Sequence, residues 1–285
     1  MWQINYESPK DITMVLEANG LNMSKKFGQN FLLPLSIRSQ IVSLLGLNDS
    51  TNAWEVGPGF GSLTSLALEK GTKLKAFEID RGFCEVLKNK AFADEPNFSL
   101  VEGDALQTLF KQKEIPDILF GNLPYNVGSQ IITTLVEKSF LPPKMVFMLQ
   151  KEVIDRMITA PEKSEFPLFS VLTQLDYKNQ MAMVIKKSCF YPEPLIDSAI
   201  VVMTRKESMI PDSNRQVFLS LVKDLYAHRR KNVRNNLASS IVGKVGGKTM
   251  VEQVLQEAKL TGMERAEKFD FAQLLLLTRV VCQYI

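Results

Sequence analysis

Histidine is almost absent from this chain: His228 is the single one among 285 residues. That excludes His-rich metal sites and leaves little room for a histidine-based catalytic triad. Cysteine is scarce as well. Cys84, Cys189 and Cys282 are odd in number, far apart and without metal-ligand spacing, so they read as reduced, buried thiols in a reducing cytosol, with no metal site. Long apolar runs are missing: Leu274 to Leu277 is far too short to span a membrane. The first turns carry Glu7, Lys10, Asp11 and Glu17, which is not the pattern of a signal peptide. Nor is there a large charge excess. A net charge of +3 does not mark a polyanion-binding protein by itself, so any nucleic-acid signal has to come from local clustering.

What is present is a soluble, globular balance with enough length for one large domain and a smaller satellite. The first two-thirds alternate β-rich runs with helical patterns, which predicts an α/β sheet protein. Strands are expected at Ala53–Val56, Lys73–Ile79, Phe98–Glu102, Asp117–Phe120, Lys144–Leu149, Ala182–Lys186 and Ala199–Thr204. Apolar runs such as Ile118-Leu119-Phe120 suit strands covered on both faces. Helices are expected at Ser62–Lys70, Arg81–Ala91, Ser129–Ser139 and Lys151–Thr159, and near the start Ser8-Pro9 reads as a cap and first helical residue, with Gly20 as the stop. Composition turns polar at Glu207–Ser213, and beyond it only helical periodicity is found, interrupted at Gly246-Gly247. We therefore expect two domains, 1–207 and 208–285, the second all-helical.

Four expected strand ends carry the chemistry. Glu55-Val56-Gly57-Pro58-Gly59-Phe60-Gly61 leaves the first strand and enters a helix. Glycines allow a tight turn and close approach of a ligand, and a helix N-terminus can receive a carboxylate. A phosphate-binding loop would need Gly-Lys-Ser/Thr here, and a dinucleotide fingerprint would need glycine at position 62, which is Ser62. The remaining G-x-G-x-G order suits S-adenosyl-L-methionine, which has no phosphates to cradle; a bare βα turn is the other reading. Glu78 closes the second strand, where a carboxylate can accept both hydroxyls of a ribose. Asp104, in Gly103-Asp104-Ala105, closes the third and can accept from an adenine amino group. The fourth strand runs into Gly121-Asn122-Leu123-Pro124-Tyr125. The Asn122 side-chain oxygen and the Leu123 carbonyl can accept both N–H groups of an exocyclic amine, which favours a pyramidal nitrogen with its lone pair free. Pro124 biases Leu123 towards extended backbone, and Tyr125 offers a face for a flipped base. Ligands of open α/β sheets lie beyond the carboxyl ends of the strands, so all four would meet in one crevice.

One basic cluster stands out in the helical part: Arg229, Arg230 and Lys231, then Arg234. If helical throughout, Lys223, Arg230 and Arg234 share a face, and arginine forks suit phosphate oxygens. A solvated helix face is the alternative.

Taken together these blocks resemble the ribosomal RNA adenine N6-dimethyltransferases, and within them the branch acting on small-subunit (16S) RNA. The likeness is carried by Lys26-Phe27-Gly28-Gln29-Asn30-Phe31-Leu32, the glycine turn, Glu78-Ile79-Asp80-Arg81, Gly103-Asp104-Ala105 and Gly121 to Asn126. Phe147 to Val153, Asp197-Ser198-Ala199 and Arg229 to Asn235 extend it nearly end to end. The resemblance implies a Rossmann-like class I S-adenosylmethionine-dependent methyltransferase sheet with a small helical RNA-binding domain. It implies that Asn30, Leu32, Gly57, Gly59, Glu78, Ile79, Asp104, Ala105 and Asn122 hold the cofactor. Asn122, Leu123, Pro124 and Tyr125 would contact the target adenine, sandwiched from the other side by Phe190. It further implies N6,N6-dimethylation of two adjacent adenines in the 3′-terminal hairpin loop of 16S rRNA, a role in subunit biogenesis, a cytoplasmic location and a monomer. Two departures are visible: Leu195-Ile196-Asp197-Ser198 where the family has Lys-Val-Asp-Ser, and Phe166-Pro167 where it tends to have Tyr-Gly. A large-subunit dimethylase with the same crevice, and an RNA-binding assembly or transcription factor without turnover, are the competing readings. The Arg229–Asn235 and Asp197-Ser198-Ala199 blocks favour the small-subunit enzyme over the first. The intact Asn122–Tyr125 and Glu78 argue against the second.

Overall fold

The computed structural model describes residues 4–21, 30–124, 127–160, 166–228 and 230–285. In chain order the elements run α1 (Pro9–Ala18), β1 (Phe31–Leu32), α2 (Leu35–Leu45), β2 (Asn52–Val56), α3 (Thr64–Leu68), β3 (Lys73–Glu78), α4 (Arg81–Val86), β4 (Phe98–Glu102) and α5 (Ala105–Thr108). They continue with β5 (Ile118–Asn122), α6 (Gly128–Glu137), β6 (Lys144–Gln150), α7 (Lys151–Met157), α8 (Leu168–Asp176), β7 (Tyr177–Ile185), β8 (Phe190–Tyr191) and β9 (Ser198–Arg205). Four helices end the chain: α9 (Asp212–Ala227), α10 (Val233–Ser239), α11 (Ile241–Glu257) and α12 (Phe271–Val281). The chain divides into two compact units, Met1–Ile154 with Lys178–Arg205, and Asp155–Tyr177 with Lys206–Ile285.

The first unit is built on a seven-stranded sheet in the order β4-β3-β2-β5-β6-β9-β7. Strands β4 through β6 of that order are parallel, and β9 runs antiparallel to β6 with Phe147 opposite Val201. The central strands are apolar on both faces because helices cover both: Leu119, Phe120, Met145 and Phe147 have no exposure. Chain order reverses at β2, with β3 and β4 laid to one side and β5 and β6 to the other. The gap beyond the carboxyl ends of β2 and β5 is therefore the crevice where such sheets bind ligands. All seven expected strands occur. β7 starts at Tyr177 rather than Ala182, since its alternating buried and exposed residues mark a sheet edge covered on one face. The expected start is also found: the Ser8 hydroxyl accepts from the Asp11 amide at 3.2 Å and Pro9 opens α1. The pair β1–β8 (Leu32 opposite Phe190) and helices α2 and α8 were not read from the sequence. Of the three cysteines expected to be buried, the structure buries Cys84 and leaves Cys189 and Cys282 half-buried.

The second unit is a helical cluster with one core. Val171, Leu172 and Leu175 of α8 join Phe218, Leu221 and Leu225 of α9, Leu237 of α10, Val254 of α11 and Leu277 of α12. The expectation was one boundary, at 207/208. The chain instead crosses between units at 154/155, 177/178 and 205/206, because the apolar face of α8 belongs to this core. A buried ion pair reinforces the assignment: the Arg215 guanidinium donates two bonds to the Asp176 carboxylate, at 2.8 and 2.7 Å. Removing one member strands a buried charge. Asp176→Ala should cost about 3–5 kcal/mol in urea denaturation, and apolar replacement of both residues should recover most of that loss.

Candidate active site

A cleft opens at the carboxyl ends of β2 to β5, lined by the residues that follow each of these strands. Two glycines shape it. Gly57 has φ +71°, and a Cβ there would lie 3.6 Å from the Asn122 carbonyl oxygen. A Cβ on Gly121 would lie 2.2 Å from the Val56 carbonyl oxygen, a distance no side chain tolerates. The ends of β2 and β5 thus meet backbone to backbone, and the turn after β2 stays open to a ligand. Phe31, Phe60 and Phe83 support that turn, with ring centroids 5.3 Å (Phe31–Phe60) and 4.6 Å (Phe60–Phe83) apart. The Tyr6 hydroxyl donates to the Phe60 carbonyl at 2.8 Å and fixes the turn from the N-terminal side.

Three acids line the cleft. The Glu78 carboxylate accepts from the amides of Ile79 and Asp80 at 2.9 Å and of Gly59 at 3.2 Å, which aims it along the glycine turn. Burial pushes its carboxyl up to about 7, against the pull of those amides. Glu55 is deeper, 1 % exposed, and accepts from the Thr64 hydroxyl at 2.6 Å. Burial lifts it to about 8, and the neighbouring Glu78 charge adds to the shift. Asp104 caps α5 by accepting from the Leu106 amide at 2.9 Å through Oδ1.

Asn122 is a further polar group lining the cleft. Its Nδ2 donates to the Asn30 carbonyl at 3.1 Å, which turns Oδ1 away as an acceptor with no protein donor among the described residues. Every residue expected to hold the cofactor lines this one cleft: Asn30, Leu32, Gly57, Gly59, Glu78, Ile79, Asp104, Ala105 and Asn122. Of the residues expected at the target base, Pro124 lines it too, and Tyr125 lies outside the described residues. Leu123 is fully buried, its amide donating to the Met148 carbonyl. Phe190 is 4 % exposed, packed among Leu32, Met148, Ile185 and Ile200, and is not among the cleft-lining residues. The sequence reading passed over Glu55, Thr64 and the phenylalanine cluster. An acid inside an apolar strand, as in Ala53-Trp54-Glu55-Val56, was the available signal for Glu55.

The basic residues are on the second unit. Lys223 is exposed on α9, and Arg230 and Lys231 are exposed in the turn after it. The continuous helix that would align Lys223, Arg230 and Arg234 is broken: α9 ends at Ala227, and Asn232 caps α10 by accepting from the Asn235 amide. Arg234 pairs with Glu252 and donates to the Thr261 carbonyl, and Arg229 lies outside the described residues. Among the described residues, no group of three or more His, Cys, Asp or Glu could hold a metal, and no helix is long and apolar enough to cross a membrane.

A largely parallel, doubly wound sheet with a glycine turn, a buried acid and an asparagine amide at its switch point has the Rossmann-like methyltransferase architecture. Solved structures agree: the dimethyladenosine transferase of Plasmodium falciparum superposes with TM-score 0.70 at 23% identity, over 86% of this chain and 95% of that one. The 23S rRNA methyltransferase ErmE gives 0.64 at 20% identity, over 88% and 99%. The family model of ribosomal RNA adenine dimethylases matches residues 20–276, and the chain belongs to that family. Curated relatives named ribosomal RNA small subunit methyltransferase A include one from Treponema denticola, 40% identical over 97% of this chain and 96% of the relative. Another, from Streptococcus thermophilus, is 34% identical over 91% and 93%.

Burial of Glu55 has a pH signature. An ordinary carboxyl loses its proton near 4.5, whereas folded Glu55 keeps one to about 8. Between those values the folded state holds a proton the unfolded chain has lost, so stability falls as pH rises through the window and levels off above it. Glu55→Gln should remove that slope, at most about 1.4 kcal/mol per pH unit, and leave the variant the more stable form at pH 8 in thermal or urea unfolding. A slope unchanged by the substitution would contradict the assignment.

Proposed function

We propose that the chain uses S-adenosyl-L-methionine to convert two adjacent adenines in the 3′-terminal hairpin loop of 16S rRNA into N6,N6-dimethyladenine. The substrate is the RNA within the small ribosomal subunit, in the cytoplasm; the protein acts as a monomer and contributes to subunit biogenesis. The observation that carries the reading is the Asn122 amide, whose bond to Asn30 leaves Oδ1 as an acceptor at the cleft. Family membership and the small-subunit name of its relatives support the substrate.

The cleft fits the cofactor chemically. Glu78 would accept the ribose hydroxyls, Asp104 the adenine amine, and Gly57 and Gly59 leave room for the amino-acid end. When bound, S-adenosylmethionine supplies an electrophilic methyl on a sulfonium sulfur. The chain's own task is orientation and fixed dipoles. Asn122 Oδ1 and the Leu123 carbonyl accept from the target N6 amine and turn its lone pair out of the ring plane, while Tyr125 stacks on the flipped base. The alkylated amine is acidic enough to release its proton to water, so no side-chain base is needed. After one methylation a single N–H remains, and one of the two acceptors is then unused. Arg230 and Lys231 supply charge for phosphate contacts.

Asn122→Ala should lower kcat for radiolabelled methyl transfer to isolated small subunits about 10²–10³-fold, as loss of a preorganised hydrogen-bonding group does elsewhere. Near-normal turnover by this variant would reject the role, and a preference for naked large-subunit rRNA would move the substrate. Because Glu78 accepts two hydroxyls best when ionised, cofactor affinity should rise with pH through about 7, and Glu78→Gln should bind more weakly with a flat profile in calorimetry.

A further inference from the structure

Between Asp224 and Glu252 the chain contains no acidic residue, yet it carries Arg229, Arg230, Lys231, Arg234, Lys244 and Lys248. Among the described residues this run covers the end of α9, Arg230 to Asn232, the whole of α10 and α11 as far as Val251. Its charges are not equivalent. Arg234 is committed to Glu252 and the Thr261 carbonyl. Arg230, Lys231, Lys244 and Lys248 are exposed and have no acidic partner among the described residues.

The two unneutralised pairs are held in a fixed relation. Asn236, 1 % exposed, donates through Nδ2 to the Leu225 carbonyl at 2.7 Å and the His228 carbonyl at 3.5 Å, so α10 grips the turn that carries Arg230 and Lys231. At its other end α10 packs against α11 so closely that a Cβ on Gly243 would lie 2.1 Å from the Ala238 carbonyl oxygen. Between Lys231 and Lys244 the chain is therefore made up of α10, its two caps and the first residues of α11, all tied into one packed unit. The second pair flanks a break in α11. Gly247 has φ +62° and ψ −155°, open only to glycine, and a Cβ there would meet nothing within 4 Å. The glycine serves the kink rather than packing. Lys244, Val245, Gly247, Lys248 and Thr249 are all exposed around it, which leaves backbone bare between two lysines.

We infer that the kinked Gly243–Lys248 segment is a second phosphate-contacting surface for ribosomal RNA, continuous through α10 with the Arg230–Lys231 turn. The inference rests on the functional reading above and adds residues outside the basic block that suggested RNA from sequence. It predicts that Lys244 and Lys248 act on affinity and salt dependence and take no part in chemistry.

The test uses the full chain and isolated small ribosomal subunits, comparing wild type with Lys244→Gln/Lys248→Gln and with Lys244→Arg/Lys248→Arg. The Gln pair should raise KM for the particles about 5–10-fold and flatten the dependence of log affinity on log salt by about 1.4–1.8, since each lost phosphate contact removes about 0.7–0.9. Its kcat at saturation and its affinity for S-adenosylmethionine should match wild type, and the Arg pair should behave as wild type throughout. A Gln pair with unchanged KM and salt slope overturns the inference while the enzyme reading stands. Weakened binding with an unchanged salt slope overturns it too, since the contact would then not be to phosphate. A wild type that neither binds nor methylates the particles overturns the functional reading and this surface with it.

Discussion

The carbonyl of Val56 and the backbone at Gly121 come so close that no side chain fits between them, and the geometry of the cleft depends on this. Because β2 and β5 are neighbours running in parallel, whatever follows each strand emerges side by side. The turn after β2 is glycine-rich and leaves space, and the residue after Gly121 is an asparagine whose amide looks into that space. A larger residue at Gly121 would push the two exits apart. It would separate the hollow beside the glycine turn from Asn122, the group proposed to address the second substrate.

Around that contact the cleft is held by interactions that leave its polar groups preset. Backbone amides fix Glu78, the Asn30 carbonyl orients Asn122, and α5 fixes Asp104. Stacked phenylalanines and Tyr6 hold the turn from behind. Preset dipoles are what a methyl transfer between a sulfonium and an amine requires, because little reorganisation is then left for the reactive encounter. Glu55 stands apart from this set. Buried, hydrogen-bonded to Thr64 and lifted to about 8, it carries a proton beneath the turn at neutral pH, which limits repulsion with Glu78.

Much of this was legible beforehand because strand ends announce themselves. Glycine spacing at 57, 59 and 61, acids at 78 and 104 and Asn-Leu-Pro at 122–124 are local signals, and the doubly wound rule brings local signals together. The less legible parts depend on partners distant in sequence. Nothing local in the sequence assigned helix α8 to the second unit, and only its fit into a core made by α9 to α12 reveals where it belongs. Phe190 sits in a proline-stiffened stretch, and only the family resemblance makes it a platform for the base. Pairing of β8 with β1 sets it among Leu32 and Ile200, a placement that depends on residues far away in sequence. The basic block read as one helix face, and the cap at Asn232 breaks it into a turn and a new helix.

The sequence by itself determined the alternation of strands and helices, the chemistry available at each strand end and the family to which the chain belongs. These follow from residue type and short-range spacing, which need no knowledge of the fold. Tertiary structure alone decided which carboxyls keep their protons, which arginine is spent on an internal ion pair, and which segment completes the helical core. Burial, charge pairing and close packing are properties of groups brought together from far along the chain, and no local pattern encodes them.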